Sequence, residues 1–389
     1  MNRVAIVGAG PGGMSAALAL HRAGFRVDLY ERRAAVSAVG SGLSLTTPPL
    51  LALRALGVDI DNLGASARLG FSRYDGRPRA DFPAIPELES DFGATFFGLL
   101  RPDLYERMHA ALPPGVLHLE HRLVGFEQDA SEVRLYFADG TSAAADVLIG
   151  ADGINSVVRR NSFGDSRLNY HGFACWQGYC EVDGPDRGEG RICHDRDSQA
   201  SWSPILHKGR PAWQWWVLEP WPRGVAFTGD GKRRLERKLE NWVDPLPELV
   251  RATASDRILR REIVDRPRLR RWIDGRVVVL GDAAHPTSPY AAYGAGMAIE
   301  DGYYLGRHLT GRPLHDAHEL GLGLRAFEGQ REARTARTAW FARTLGRAYH
   351  SQNPLWQRFR DFTLDHTPIP RHLLVAGYTR SLRQEMSYL

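Results

Sequence analysis

The sequence predicts an α/β fold: a parallel, crossover-connected sheet, interrupted by a β-rich insertion and followed by C-terminal helices. Three observations carry this reading. The first thirty residues read as strand, glycine turn, helix, strand. A second β-branched run, Arg276 to Leu280, leads into a loop and another glycine-rich helix start. Between them, residues 173–227 switch to short alternating segments rich in tryptophan. Because the two kinds of segment alternate along the 389 residues, one discontinuous domain should hold the other as an insertion.

Val4 to Val7 is the first strand, and Met14 to Ala23 has helical composition. Between them lies Gly8-Ala9-Gly10-Pro11-Gly12-Gly13, and a second strand, Phe25 to Tyr30, ends at Glu31. This is a Rossmann-like βαβ unit with GxGxxG in its first turn. The glycines permit the turn and the close approach of a pyrophosphate. The helix start stabilises that charge, and Glu31 can accept from a ribose hydroxyl, with Arg32 beside it. The pattern fits FAD and NAD equally.

Residues 39–45 carry Gly40 and Gly42, a loop able to pass close to the ligand. Pro48-Pro49 and a helix through Leu56 follow. Arg101 to Leu112 reads as a helix whose first residue could face a phosphate. Residues 116–148 form short alternating runs, and the Ala138-Asp139-Gly140 turn marks a hairpin. The chain then returns to the parallel sheet at Val147 to Gly150. Asp152-Gly153 stands at that strand's end, followed by Ser156 and Arg159. Gly281-Asp282 repeats the arrangement after Arg276 to Leu280. Ligands of open α/β sheets bind beyond the carboxyl ends of the strands, so both aspartates and the first turn converge on one large cofactor. Pro286 and Pro289 hold an extended loop. Gly294-Ala295-Gly296 permits close approach, and the helix beginning near Met297 turns its positive end back toward the loop.

In the inserted region tryptophan occupies 176, 202, 213, 215, 216 and 221. Strand alternation puts Trp213 and Trp215 on one face, and Gln214 and Trp216 on the other. Such a sheet offers a flat apolar wall for an aromatic substrate, with Gln177, Trp202, Trp213 and Trp215 as candidate contacts. Leu235 to Ile263 reads as helix broken near Pro245 and Pro247. Residues 311–347 and the tail to Leu389 read as helical, the tail with breaks at Pro368 and Pro370. The expected boundaries are 1–70, 98–168 and 268–345 for the cofactor domain. They are 71–97 and 169–267 for the substrate domain, and 346–389 for a C-terminal helical segment.

Apolar residues make up 43% of the chain and charged residues 24%, as in globular proteins. The formal charge is +5, and all but three of the 50 basic residues are Arg. The basic clusters alternate with acids, so they read as solvated helix faces and not as a nucleic-acid site. Cys175, Cys180 and Cys193 lack CxxC spacing, which points to free thiols in a reducing, cytoplasmic setting and to no metal site. The apolar N-terminus carries four glycines and a proline, so it reads as strand, turn and helix and not as a signal peptide. No apolar run reaches the roughly 18 residues of a transmembrane helix. The sequence leaves the oligomeric state open.

Three motifs together resemble the FAD-dependent group A aromatic hydroxylases, of para-hydroxybenzoate and salicylate hydroxylase type. They are Gly8 to Gly13 with Glu31, the stretch GADGINSVVR from Gly150 to Arg159, and GDAAHP from Gly281 continuing to GAGMAIED. The resemblance implies one non-covalent FAD. Gly8, Gly10 and Gly13 would take its pyrophosphate, Glu31 the adenosine ribose, Arg101 a phosphate or the ribityl region, and Asp282 the pyrophosphate and ribityl side. Gly294, Ala295, Gly296 and Met297 would meet the flavin pyrimidine edge. Asp152 and Gly153 match a motif associated with both FAD and NAD(P)H, and Pro289 matches a proline near the hydroxylation centre. NADH or NADPH would reduce FAD, O₂ would form a C4a-hydroperoxyflavin, and one oxygen would pass to an aromatic, phenolic or fused-ring substrate.

The chain departs from that pattern at Tyr293, where relatives often have Gln. It also departs at Gln177 within Trp176-Gln177-Gly178, where many have Arg, at Pro48, where an Asn is frequent, and at Trp202-Ser203-Pro204. These changes point away from a simple benzoate and toward a larger or less acidic aromatic. Tyr293 is the leading side chain for touching the substrate or relaying its proton, ahead of His207 and His285. Alternatives on the same scaffold are an epoxidase or ring-opening oxygenase, or a flavoprotein that binds an intermediate without oxidising it. A halogenase is a further alternative, because Trp213 to Leu218 nearly matches WxWxIP, but Leu218 replaces its proline.

Overall fold

The computed structural model describes residues 2–36, 40, 42–82, 85–89, 95–182 and 188–368, together with 380 and 383. The expected break at Pro370 and nearly all of the tail beyond it lie outside the described residues, as does the start of the 39–45 loop. In chain order the first elements are β1 (Arg3–Val7), α1 (Pro11–Arg22), β2 (Arg26–Tyr30), β3 (Gly42–Thr46), α2 (Thr47–Ala55), β4 (Ala65–Arg73), β5 (Pro78–Asp81), α3 (Pro86–Glu89), β6 (Phe96–Leu100) and α4 (Arg101–Ala110). Then come β7 (Leu117–His118), β8 (Leu123–Gln128), β9 (Val133–Phe137), β10 (Ser142–Ala145), β11 (Val147–Gly150), α5 (Val157–Phe163), β12 (Asn169–Cys180), β13 (Glu189–His194), β14 (Gln199–His207) and β15 (Arg210–Pro220). The last are α6 (Gly231–Leu239), α7 (Leu246–Ala252), β16 (Leu259–Asp265), β17 (Ile273–Asp274), β18 (Val277–Val279), α8 (Gly294–Leu309), α9 (Ala317–Tyr349) and α10 (Pro354–His366).

The first sheet runs β17-β18-β11-β1-β2-β7, with β1 parallel to both β2 and β11, and β11 parallel to β18. Val4, Ile6, Ile149 and Val278 are wholly buried, as expected for parallel strands covered on both faces. α1 and α8 lie against each other on this sheet. Their approach is close because a Cβ at Gly302 would fall 2.4 Å from Ala16 N, and one at Gly306 would fall 2.4 Å from Ala19 Cβ. The β8–β9–β10 ribbon is antiparallel, as its turn residues predict.

The larger sheet runs β16-β12-β15-β14-β13-β4-β6-β3, with β5 paired to β4. It corrects two expectations. Leu259 to Asp265 is a strand and not helix, because it pairs antiparallel with β12 from Leu259↔Gln177 to Asp265↔Asn169. The boundary expected at 70/71 falls inside β4, and β3 and β6 also join this sheet. The large sheet therefore draws strands from both sides of the presumed division.

The inserted strands are pinned to the cofactor loops by arginines. Arg159 is buried, and its NH1 donates to the carbonyls of Ala283 (3.1 Å) and Ala284 (3.2 Å). Its NH2 donates to Ser166 Oγ (3.3 Å) and the Pro267 carbonyl (3.2 Å), which flank the inserted strands on either side. Arg266 adds a bond to the Ile154 carbonyl at 2.6 Å.

Candidate cofactor and substrate site

One cleft of about 480 Å³ runs from the first glycine turn to the large sheet. Gly10, Pro11 and Gly12 line one end, then Arg101, Tyr105 and Asp282, then Pro289, Gly294 and Ala295. Beyond these it opens into a chamber walled by β14 and β15 and roofed in part by Tyr290, Phe341 and Tyr349.

The turn glycines divide by what surrounds them. A Cβ on Gly8 would meet the Ala151 carbonyl at 2.4 Å, and one on Gly13 would meet the Gly8 carbonyl at 1.9 Å. These two permit chain packing, and Gly13 does not line the cleft. Gly10 lines it, and a Cβ there would find nothing nearer than Tyr105 OH at 3.8 Å. That space admits a phosphate against the α1 start. Glu31 closes the turn from outside: Oε2 accepts from Ala9 N at 2.9 Å and Oε1 from Arg33 N at 3.0 Å. Arg32 is exposed beside it, and neither residue lines the cleft.

Arg101 opens α4, and its Nε is buried with no hydrogen-bond partner. An orphaned guanidinium donor in a cleft suits a phosphate or hydroxyl ligand. Asp282 projects into the cleft with its side chain open to solvent, and the protein packed around it raises its carboxyl above the usual range, against the pull of His285 and Arg101. Asp152 departs from expectation. Its Oδ2 accepts from Val157 N (2.7 Å) and Val158 N (3.3 Å), so it caps α5 from the strand end, and the adjoining Ala151 and Gly153 line the cleft instead.

α8 begins at Gly294 with Tyr293 as N-cap, no side-chain cap and no acid in its first turn. Its first N–H groups have no intrahelical acceptor, and they lie at the positive end of a 16-residue helix. The preceding loop turns tightly: Ala292 is left-handed at φ 49°. Met297 does not reach the cleft, because it is wholly buried and its N–H is bonded to the Tyr293 carbonyl at 2.9 Å. Gly296 likewise faces Pro49 and not the cleft.

Below this helix start lies a buried ionic network. Arg331 Nε donates to Asp301 Oδ1 at 2.7 Å, and its NH2 lies 3.0 Å from Glu300 Oε2. His285 Nε2 is 2.5 Å from Asp301 Oδ2, which also accepts from Gly281 N at 2.9 Å. Burial opposes ionisation of Asp301, but His285 and Arg331 outweigh it and hold its carboxyl below the usual range. Tyr293 OH donates into the same network, to Glu300 Oε1. Burial and the Glu300 charge push the phenol well above its ordinary value. Its ring lines the cleft, but its hydroxyl is committed beneath the helix, which corrects the expected proton relay. His285 is likewise committed, and His207 lies elsewhere, 3.2 Å from Asp103 Oδ2.

The tryptophan wall is the larger correction. Trp176, Trp202, Trp213 and Trp215 face away from the cleft and form a core with Leu235 and Leu239 of α6 and Leu246, Leu249 and Val250 of α7. Their indoles are satisfied there: Trp215 Nε1 donates to Thr253 Oγ1 (2.8 Å) and Trp176 Nε1 to Glu219 Oε1 (2.7 Å). The alternate residues face the chamber. They are Gln177 on β12, Gln199, Ser201 and Ser203 on β14, and Gln214, Trp216 and Leu218 on β15. Gln177 is therefore the one expected substrate contact that lines the cleft. Gln214 braces β3, with Nε2 donating to Ser203 Oγ (2.8 Å) and the Leu43 carbonyl (3.4 Å). Gly42 makes room for it, since a Cβ there would overlap its amide oxygen. Phe71, Phe82 and Phe96 complete the chamber from β4 and its neighbours, with adjacent ring centroids 5.4 and 5.0 Å apart. Their spacing in the chain carries no periodic signal that would have marked them.

Among the described residues no helix is long and apolar enough to cross a membrane, and no acidic, His and Cys groups cluster as a metal site.

The FAD binding domain family matches residues 1–172 and 224–336. The chain is 31% identical over 368 residues to a 6-hydroxynicotinate 3-monooxygenase of Bordetella bronchiseptica, covering 91% of this chain and 94% of that protein. It is 31% identical over 314 residues to the aurachin C monooxygenase/isomerase of Stigmatella aurantiaca, covering 79% and 80%. HpxO of Klebsiella pneumoniae, solved with FAD and uric acid, superposes with a TM-score of 0.85 at 25% identity, covering 98% of this chain and 97% of that one. With the orphaned Arg101 donor, the open Gly10 and the uncapped α8 start along one cleft, these matches place the chain in the FAD binding domain family, as a flavin-dependent monooxygenase of the group A hydroxylase type.

Proposed function

We propose that the enzyme hydroxylates an aromatic small molecule, with FAD as bound cofactor, NADH or NADPH as reductant and O₂ as oxidant. The observation that carries this reading is the single cleft joining the glycine turn, the uncapped α8 start and the aromatic chamber. When bound, FAD supplies electron relay and oxygen activation. The chain's own residues position and tune it. Gly10 and Arg101 would receive phosphate oxygens, and Asp282 would accept from ribityl hydroxyls. The N–H groups of Gly294 and Ala295, with the α8 dipole, would favour negative charge on the cofactor ring. Pro289 stands where the cofactor end meets the chamber and is the backbone candidate for substrate contact. Tyr293 contributes its ring as wall. Tyr290, Phe341 and Tyr349 add aromatic lining to the chamber.

The relatives named for 6-hydroxynicotinate and solved with uric acid support a small ring substrate. Three buried free thiols support a reducing, cytoplasmic setting. The test is the absorption spectrum of the FAD-loaded protein, followed by NADH and NADPH oxidation with a panel of phenols and fused aromatics. A flavin spectrum with oxidation stimulated by one compound class, and a hydroxylated product, is expected. An epoxide or ring-opened product would replace the hydroxylase reading, and failure to bind FAD would overturn it.

A further inference from the structure

We propose that the substrate is a fused heteroaromatic bearing a cyclic amide, or its hydroxy tautomer, and that Gln177, Ser201 and Gln199 read its donor–acceptor edge. The proposal rests on the aromatic-substrate reading above and narrows it to a chemical class.

Strand register lays the wall out as a grid. One row across the sheet is Gln177, Trp216, Ser201, Ile192 and Phe71. The next row is Cys175, Leu218 and Gln199, ending on His194. Adjacent strands lie about 4.8 Å apart, so Gln177 and Ser201 flank Trp216 at roughly the width of a two-ring system. Trp216, Ile192 and Phe71 give a ring an apolar platform, and the polar side chains stand at its margins.

The polar side chains are free or aimed. Gln177 and Ser201 make no side-chain hydrogen bond among the described residues, and both line the cleft. Gln199 Nε2 is 2.5 Å from His194 Nε2. His194 is buried and stacked on Tyr349 at 4.3 Å, and burial with nearby Arg79 keeps it neutral. The neutral imidazole accepts from the amide, which leaves the Gln199 carbonyl oxygen and its second N–H for the cavity. A carboxamide and a hydroxyl can both donate and accept, which complements an amide edge.

Charge divides the wall. Of the described residues lining the cleft, Arg101 and Arg261 are the cations, and no Lys or His joins them. Arg101 acts on Tyr105 and Asp282 at the cofactor end, and Arg261 pairs with Cys175 across β12 and β16, at the end of the second row. The row of Gln177, Trp216, Ser201, Ile192 and Phe71 itself carries no charge.

The FAD-loaded full chain is titrated with 6-hydroxy-2-quinolone and 2-naphthol, and binding is read from perturbation of the flavin absorbance. The lactam is expected to bind at least about tenfold more tightly than the naphthol, because a site of paired donors and acceptors rejects analogues that leave them unmatched. Gln177→Leu and Gln199→Leu should each weaken lactam binding about tenfold more than they weaken naphthol binding. Retained flavin absorbance and circular dichroism certify folding, and Gln177, half-buried and unbonded, is the safer of the two sites. Equal binding of naphthol and lactam, equal loss of both in the Gln177 variant, or loss of all binding overturns the proposal. If the binding order holds but no probe stimulates NAD(P)H oxidation, the binding class stands and the hydroxylase reading fails alone.

Discussion

The two ends of the cleft are built in different ways. The cofactor end is made mostly of backbone, with turn amides, an uncapped helix and glycines packed against chain, and Arg101 and Asp282 add its polar side chains. The chamber is made of side chains that six strands, β4, β6 and β12 to β15, bring together from residues 71 to 218. A backbone site tolerates little change beneath it, and a side-chain site tolerates exchange on its surface. The contrast makes predictions that can break it.

The largest effect is expected under the cofactor end. Arg331→Met removes the cation that bridges buried Asp301 and Glu300, with His285 still on Asp301 and Arg334 3.9 Å from Glu300 Oε2, and should cost about 3–5 kcal/mol of stability, read as a fall in Tm. FAD affinity should fall with it, since Asp301 also holds Gly281 N. Unchanged stability would mean that the loop does not depend on the network. On the large sheet, Trp215→Ala should cost about 3–5 kcal/mol in urea unfolding with KM preserved, because its ring lies wholly within the α6–α7 core. Trp216→Ala should instead raise KM several-fold at smaller cost in stability. The reverse pattern would restore the tryptophan wall.

Acid should strike behind the chamber roof. His350 packs between Phe173 and Tyr290, and burial lowers its pKa from 6.5 to about 4. Between those values the unfolded chain holds a proton that the folded one does not, so acid favours unfolding. Stability should therefore be fully present above about pH 6.5 and fall by up to about 3 kcal/mol toward pH 4. Thermal melts of wild type and His350→Gln should diverge only in that window, and parallel melts would refute it. The smallest effect on stability belongs to Gly10→Ala. Its new methyl has room in the protein alone, so Tm should hold, while FAD affinity falls tenfold or more, about 1.4 kcal/mol, by fluorescence titration.

This contrast also explains what was legible in the sequence. The cofactor end could be read because glycine, proline and a strand-end acid leave a local pattern. Gly10, Arg101, Asp282 and Gly294 lie along the cleft as their spacing suggests. Asp152 and Met297 carry patterns that match cofactor contacts, yet Asp152 Oδ2 caps α5 while its Oδ1 keeps no hydrogen-bond partner, and Met297 is buried with its N–H bonded to Tyr293. The faces of β15 followed from alternation, but which face met solvent depended on α6 and α7 packing behind it, and period-two patterns carry no such sign. Tyr293 was placed in the cleft, yet its hydroxyl went to Glu300, seven residues away on the same helix. Leu259 to Ile263, the end of the stretch expected to be helical, joins a strand because β12 offers it an edge to pair with.

Arg159 ties both ends of the inserted strands to the loop before α8. The insertion is thus held like a cartridge in a socket whose contacts lie outside its working surface. Residues on that surface can be replaced without disturbing the register of the loop that meets the cofactor. Such an arrangement lets one oxidising apparatus be refitted for new molecules in small steps, each substitution in the chamber being felt by what is bound and hardly at all by what does the oxidising.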